Sequence, residues 1–227
     1  MLDVGAHYGH SLDPFAAQGW TIHAFEPDPA NREHLIDRHG DKPNVTVVPK
    51  GVADAPGRLP LFTSDASTGV SSFASFTAGH EEAVTVDVTT LSEYLRENEI
   101  QAVDFMKVDV EGFEMRVLHG MDWTIKPTTI VLEFENAKTR SLGYGWKDLA
   151  AELLGHGYRT IVVSEWAPVV EYGTEHRWLR FADYPTELSD ENGWGNLIAT
   201  RAPRARLDAA LASAQRRQRL GRLLHLA

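Results

Sequence analysis

Apolar residues recur along the chain in two alternating rhythms. Trp20–Phe25, Val45–Val48, Val103–Val108, Thr129–Leu132 and Arg159–Val163 are short runs rich in β-branched and aromatic residues, the signature of strands. Met1–Val4 reads as a further strand, shorter than the usual length of about five or six residues. Between these runs, Ser11–Gln18, Ala30–His39 and Lys147–Leu154 carry helical spacing and stop at Gly19, Gly40 and Gly155, and Glu114–Leu118 opens another helix. Strands alternating with helices at these intervals predict an α/β fold with a doubly wound, mostly parallel sheet.

The middle of the chain breaks the rhythm. Asp54–Gly57 is turn chemistry, Leu59–Phe62 a short strand, and Ala83–Val88 alternates as an edge strand would. Together they predict a small hairpin insertion. The Ser-, Thr- and Gly-rich stretch Ser64–Gly79 between them is expected as a loop over the active face. Thr90-x-x-Glu93 is a capping box for the next helix. Trp178–Phe181 and Asn196–Thr200 are expected to close the fold as pieces of a hairpin. From Pro203 to Leu226, Leu207, Leu211, Leu220 and Leu224 fall at helical spacing among arginines. Residues 1–202 are therefore expected to be one domain, and residues 203–227 a basic amphipathic helix. That helix is either a solvated extension or a contact to a neighbouring domain or second copy. A first strand that begins at the first residue suggests a fragment or an internal start.

Composition narrows the classes. Hydrophobic residues make up 43% and charged residues 24%, ordinary for a globular protein. No apolar run approaches the ~20 residues that span a bilayer. The chain has no cysteine, which excludes disulfides, thiolate nucleophiles and Cys-ligated zinc. It fits a reducing compartment, and the cytoplasm is the expected location. Net charge is −10, but residues from Arg201 onward carry +6 and the rest −16. So acidic a body argues against a nucleic-acid partner.

Ligands of open α/β sheets bind outside the carboxyl ends of the strands. Those ends carry Asp3, Glu26, Lys50-Gly51, Asp109 with Glu111, and Glu133 with Glu135. Asp3-Val-Gly5-Ala-His7-Tyr-Gly9-His10 reads as strand end, glycine turn and helix start. Glu26 follows Asp3 by 23 residues, near the spacing of roughly 20 at which a βαβ unit brings a carboxylate to a ribose. The loop lacks the G-x-G-x-x-G of pyrophosphate sites. Its opening Asp would repel a phosphate and attract a cationic cofactor such as S-adenosylmethionine (SAM). An ordinary strand–turn–helix with turn glycines is the bland alternative.

Taken together, Asp3-Val-Gly-Ala-x-x-Gly9, Phe25-Glu26-Pro27, Thr90-Leu91, Lys107-Val-Asp109-Val-Glu111-Gly-Phe-Glu114 with Leu118 and Gly120, and Ile130–Glu133 resemble the FkbM-family SAM-dependent methyltransferases. The similarity runs from about Met1 to Val163, and its most specific part is the Lys107–Glu114 stretch. Where that family commonly has Asn in the loop, this chain has His7. The resemblance implies a seven-stranded Rossmann-like methyltransferase sheet, SAM as methyl donor, and a hydroxyl acceptor on a sugar, glycan or natural product.

Roles follow from that chemistry. Asp3, Gly5, His7 and Gly9 are expected at the methionine end of SAM, Glu26 with Pro27 at the ribose, and Asp54 at the adenine amine. Asp109 is the favoured general base, with Lys107, Glu111 and His10 as the other candidates. A divalent cation such as Mg²⁺ on Asp109 with Glu133 or Glu135 is the less favoured alternative. The acceptor pocket is expected from Ser64–Gly79, Asn136–Trp146 and Trp166–Trp194. The Trp and Tyr residues there stack on sugars or fill core. An NAD-dependent oxidoreductase is the rival enzyme. A non-catalytic module within a larger biosynthetic protein is the rival of another class.

Overall fold

The computed structural model describes residues 1–64, 73, 80–168 and 176–224. Eight strands form the main sheet: β1 (Leu2–Val4), β2 (Ile22–Phe25), β3 (Val45–Val48), β7 (Phe105–Val108), β8 (Thr129–Glu135), β9 (Thr160–Trp166), β10 (Trp178–Asp183) and β11 (Trp194–Thr200). Their order is β10-β9-β11-β8-β7-β1-β2-β3. β1, β2, β3, β7 and β8 pair in parallel, whereas β11 runs antiparallel to both β8 and β9. The α/β fold is thus the expected one, with one strand more than seven. The addition is β10, an edge strand antiparallel to β9. β10 and β11 do not form a hairpin with each other, because β9 lies between them.

The insertion is larger than a hairpin. β4 (Gly51–Val52), β5 (Gly57–Ser64) and β6 (His80–Thr89) make a three-stranded sheet in the order β4-β6-β5. β6 is therefore its central strand, although its polar–apolar alternation reads as an edge. Ser64–Gly79, with Gly69–Ser72, lies outside the described residues except for Ser64 and Phe73.

Helices follow their local chemistry. α2 (Pro29–His39) opens on Asp28, whose Oδ1 accepts from Ala30 N at 2.9 Å, with Pro29 in the first turn, where a missing N–H costs nothing. α3 (Leu91–Glu97) is capped as predicted by Thr90, whose Oγ1 accepts from Glu93 N at 3.0 Å. The helix expected over Ser11–Gln18 shrinks to α1 (Asp13–Ala16), preceded by a 3-10 turn at His10–Leu12. Pro14 has no N–H to donate to the His10 carbonyl, so the regular α-helix starts only at Asp13. α4 (Glu114–His119), α5 (Asn136–Thr139) and α6 (Trp146–Gly155) follow β7 and β8. α7 (Arg204–Leu224) is one helix, anchored by buried Leu207 and by an Arg204–Asp183 ion pair at 2.7 Å. No helix among the described residues is long and apolar enough to cross a membrane.

The core forms on both sides of the sheet. Leu2, Val4, Phe25, Met106, Val108, Ile130, Leu132 and Phe134 belong to one cluster, joined by Trp146, Leu149 and Leu153 of α6. Ala6, Leu12, Ile22, Ala24 and Leu35 form the other, under α1 and α2. Burying side chains of this size stabilises by roughly 1.5–3 kcal/mol each. Both strand faces are thereby fixed, and the polar residues are left at the strand ends.

Candidate functional site

Parallel register builds the site. Val4 pairs with Phe25 and with Val108, and Val108 with Leu132. The residues that follow each strand position, Gly5, Glu26, Asp109 and Glu133, therefore stand side by side on one edge. A cavity of about 160 Å³ lies there, lined by Gly5, His7, Glu26, Pro27, Asp109 and Glu111, with Leu61 and Phe73 opposite. It is smaller than a typical small-molecule site of ~300–1,000 Å³, so it encloses only part of a nucleoside-sized ligand.

The glycine turn is shaped by the protein more than by a ligand. Gly5 has φ +83°, and a methyl group there would overlap the Asp109 carbonyl oxygen. Gly9 has φ +78°, and a methyl there would meet the side chains of Leu35 and His39 on α2. The close approach that was expected toward a cofactor is thus made toward β7 and α2. His7, between them, is held at φ +51°, a conformation that a non-glycine residue rarely adopts. Its backbone N–H donates to Glu26 Oε2 at 2.7 Å, while Asp28 N donates to Oε1 at 2.9 Å. Glu26 is 5% exposed, and burial pushes its carboxyl up to about 7. Two N–H donors leave further lone pairs on this carboxylate for a diol. The His7 ring stacks on Tyr8, and its Nε2 is buried without a hydrogen-bond partner. Burial lowers the His7 pKa, so the ring is neutral.

Asp3 is fully buried and does not line the cavity. It accepts from Ser11 Oγ at 2.6 Å and sits 3.6 Å from the Lys107 ammonium, which also lies 3.0 Å from Asp109. Asp3 therefore meets the site through Lys107 and Ser11. Burial raises the Asp3 pKa. Burial also works against the charge on Lys107, but Asp109 and Asp3 outweigh it and hold the ammonium ionised. Asp109 resists burial in the same way, kept below its ordinary value by Lys107 and by a hydrogen bond with Glu133. Glu133 moves in the opposite direction, raised by burial and by the Asp109 charge.

Lys138 completes the cluster. It is nearly buried, bonds Glu111 closely, and lies 2.7 Å from Glu135. Glu111, at φ +56°, has its carboxyl pushed up to about 7 by burial, against the pull of Lys138. Glu114 is a structural acid: it accepts from Gly112 N at 3.1 Å and Val110 N at 3.3 Å, and Tyr144 Oη donates to it at 3.2 Å. It thereby holds the Asp109–Gly112 turn. Carboxylate oxygens of Asp109, Glu111 and Glu133 lie within 4.8 Å of one another, close enough for one cation to reach all three. Glu135, named from sequence as a possible ligand, instead faces Lys138.

Two predicted site residues stand apart. His10 is exposed and lines no part of the cavity. Asp54 is exposed and bonded to Arg116 at 2.7 Å, and the cavity wall on that side is Gly51, Val52, Leu61 and Phe73 instead. Sequence reasoning missed Lys138, Asn31 and Phe73. For Lys138 a signal existed: a lysine three residues after Glu135, just beyond an acidic strand end.

The cavity is lined by the carboxyl groups of Glu26, Asp109 and Glu111 and, among the described residues, by no lysine or arginine, so it suits a cationic ligand better than an anionic one. A family model for the methyltransferase FkbM domain matches residues 3–160. Hexuronic acid methyltransferase AglP of Haloferax volcanii is 25% identical over 134 residues, 58% of this chain and 54% of that protein. The crystal structure of methyltransferase FkbM from Methylobacillus flagellatus matches with a TM-score of 0.53 at 20% identity, over 88% of this chain and 42% of that one. The latter is a likeness of fold. The chain spans about half the length of these relatives.

Proposed function

The chain belongs to the methyltransferase FkbM family, and on that premise we propose that it transfers a methyl group from SAM to a hydroxyl of a sugar, glycan or small natural product. The observation that carries this is Glu26, a buried carboxyl at the end of β2, fixed by two backbone N–H groups and lining the same cavity as Asp109. The donor set fits the cofactor. Glu26 has lone pairs left for a ribose diol, the unpartnered His7 Nε2 can meet a polar group, and the acid excess suits sulfonium and ammonium charges. When bound, SAM supplies a methyl carbon activated by its sulfonium.

The chain's own residues then position and deprotonate. Methyl transfer is an in-line displacement, so holding the acceptor oxygen against the methyl carbon supplies much of the rate. As its oxygen is methylated, the acceptor hydroxyl would become strongly acidic. A carboxylate held low by Lys107 then suffices to take the proton, and Asp109 is the group so placed. Lys107 keeps Asp109 ionised and oriented, and Asp3 with Ser11 holds Lys107. Glu111 is the second base candidate, since it lines the same cavity with its pKa near 7. Similarity to a hexuronic acid methyltransferase, at 25% identity over 134 residues, supports a carbohydrate acceptor.

Titration calorimetry with SAM and with NAD tests the cofactor. SAM binding that is lost in Glu26→Ala is the expected result; NAD binding without SAM binding refutes it. Mass-spectrometric screening of candidate acceptors for a gain of one methyl group tests the reaction.

A further inference from the structure

Antiparallel pairing carries the site's face beyond the acid cluster. In register, Asn196 lies opposite Glu133 and Trp194 opposite Glu135 on β8–β11, and Trp166 lies opposite Trp194 on β11–β9. Trp178 of β10 in turn lies opposite Trp166. Side chains of directly paired residues share a sheet face. The run from Glu133 through Asn196 and Trp194 to Trp166 and Trp178 is thus one continuous surface at the carboxyl edge. Lys107 pairs with Val131, two residues before Glu133, so Lys107 and Asp109 are on that face as well.

The aromatic end of this surface is organised. The rings of Trp166 and Trp194 stack, with centroids 5.3 Å apart and planes 26° apart. His176 stands edge-on to Trp194 at 5.0 Å. All three tryptophans are only partly buried, unlike Trp146, which fills the core. The Nε1 of Trp166 and of Trp194 are buried donors without an acceptor. Such orphaned donors are uncommon in folded proteins and mark places where a polar ligand or solvent belongs. The partly exposed, stacked pair offers an apolar, π-rich surface on which a ring with C–H bonds on its face and hydroxyls on its edge can stack.

We propose, on the footing of the methyl transfer proposed above, that the Trp166–Trp194 pair is a carbohydrate subsite. It would hold a sugar ring of the acceptor beside the unit that is methylated. Two strand spacings of ~4.8 Å separate β7 from β11 and three separate it from β9, so the Trp194 side of the platform stands roughly 10 Å from Asp109 across the sheet and the Trp166 side roughly 15 Å. A sugar stacked there leaves the next unit of a glycan at the Asp109 carboxylate, with Asn196 offering an amide between them. The acceptor class this selects is an oligosaccharide or glycoconjugate, since a small hydroxylated molecule at Asp109 would not reach the platform.

The test uses the full chain with a panel of hexose, deoxyhexose and hexuronate oligosaccharides and their monosaccharides, in the presence of SAM. Methyl transfer is read by mass spectrometry and KM by the formation of S-adenosylhomocysteine. The expected result is an oligosaccharide acceptor whose KM rises at least tenfold in Trp166→Ala and in Trp194→Ala, with kcat changed less than threefold. Trp194→Phe should stay within about threefold of wild type. SAM affinity, measured by calorimetry, should be unchanged in all three variants, which also shows that they fold. Equal KM in wild type and both alanine variants overturns the subsite. So does a monosaccharide or non-carbohydrate used as well as any oligosaccharide. Failure of SAM to bind wild type refutes the methyltransferase proposal instead.

Discussion

Replacing Glu26 by Gln is the sharpest probe of the cofactor assignment. In the free protein its Oε1 and Oε2 each accept one backbone N–H. Gln keeps one acceptor oxygen, so its NH₂ must face either His7 N or Asp28 N, donor against donor. Hydrogen bonds to a charged carboxylate contribute about 1.5–3 kcal/mol each. Losing one or two from a ribose diol should therefore weaken SAM binding by about 2–4 kcal/mol, or ~30- to 700-fold. The pH dependence adds a second signature. Burial favours the neutral carboxyl and raises its pKa to about 7, whereas ribose hydroxyls donate best to the ionised form. Binding must then release a proton and tighten as pH rises through 7. Between pH 6 and pH 8 the ionised fraction climbs from about 0.09 to about 0.9, so affinity should improve roughly tenfold. Calorimetry at pH 6, 7 and 8 on wild type and Glu26→Gln measures both effects. The variant reports any titration of the cofactor's own amino group, which the difference removes. Wild-type affinity as flat with pH as the variant's, or a variant that binds as tightly as wild type, would refute the assignment.

Other expectations concern the acid cluster and its frame. Asp109→Asn should cut turnover by about 10²–10⁴ while leaving SAM affinity within about threefold; a smaller loss than in Glu111→Gln would move the base to Glu111. Lys138→Met leaves Glu111 and Glu135 buried without their cation, which should cost about 3–5 kcal/mol. Thermal denaturation should then show a fall of roughly 6–20 °C, and a fall under about 2 °C would refute the pairing. Gly5→Ala drives a methyl group into the Asp109 carbonyl and should cost more than ~3 kcal/mol. Gly9→Ala meets only side chains of Leu35 and His39 and should cost less, so the ranking in chemical denaturation checks the packing.

What could be read from the sequence was what is local. The strand ends at Glu26 and Asp109 were legible because an apolar run stopping at an acid is a feature of a few adjacent residues. The capping of α3 by Thr90 was legible for the same reason. Partners set by tertiary structure were not. Asp54 looked available for adenine, but its carboxylate is taken by Arg116, 62 residues away. Gly5 and Gly9 looked ligand-facing because a glycine shows that space is short without showing what occupies it. Glu135 looked like a ligand until Lys138 turned toward it. The tryptophans of β9, β10 and β11 gave no sign of meeting, since their pairing depends on strand order, and β11 enters the sheet out of sequence.

That out-of-sequence entry also governs how the molecule can assemble. β8 and β9 are consecutive strands of the main sheet, but they never touch, because β11 fills the space between them. Until residues 194–200 are in place, each exposes an unpaired edge of apolar sequence, a template for pairing with another chain. Contacts this distant along the sequence also form slowly. The acid cluster's neighbour strand and the tryptophan surface therefore depend on the same segment, residues 194–200. A chain stalled or truncated before Trp194 would carry the glycine turn and Glu26 but lack Trp194 and Asn196, and would be prone to aggregate through two open edges.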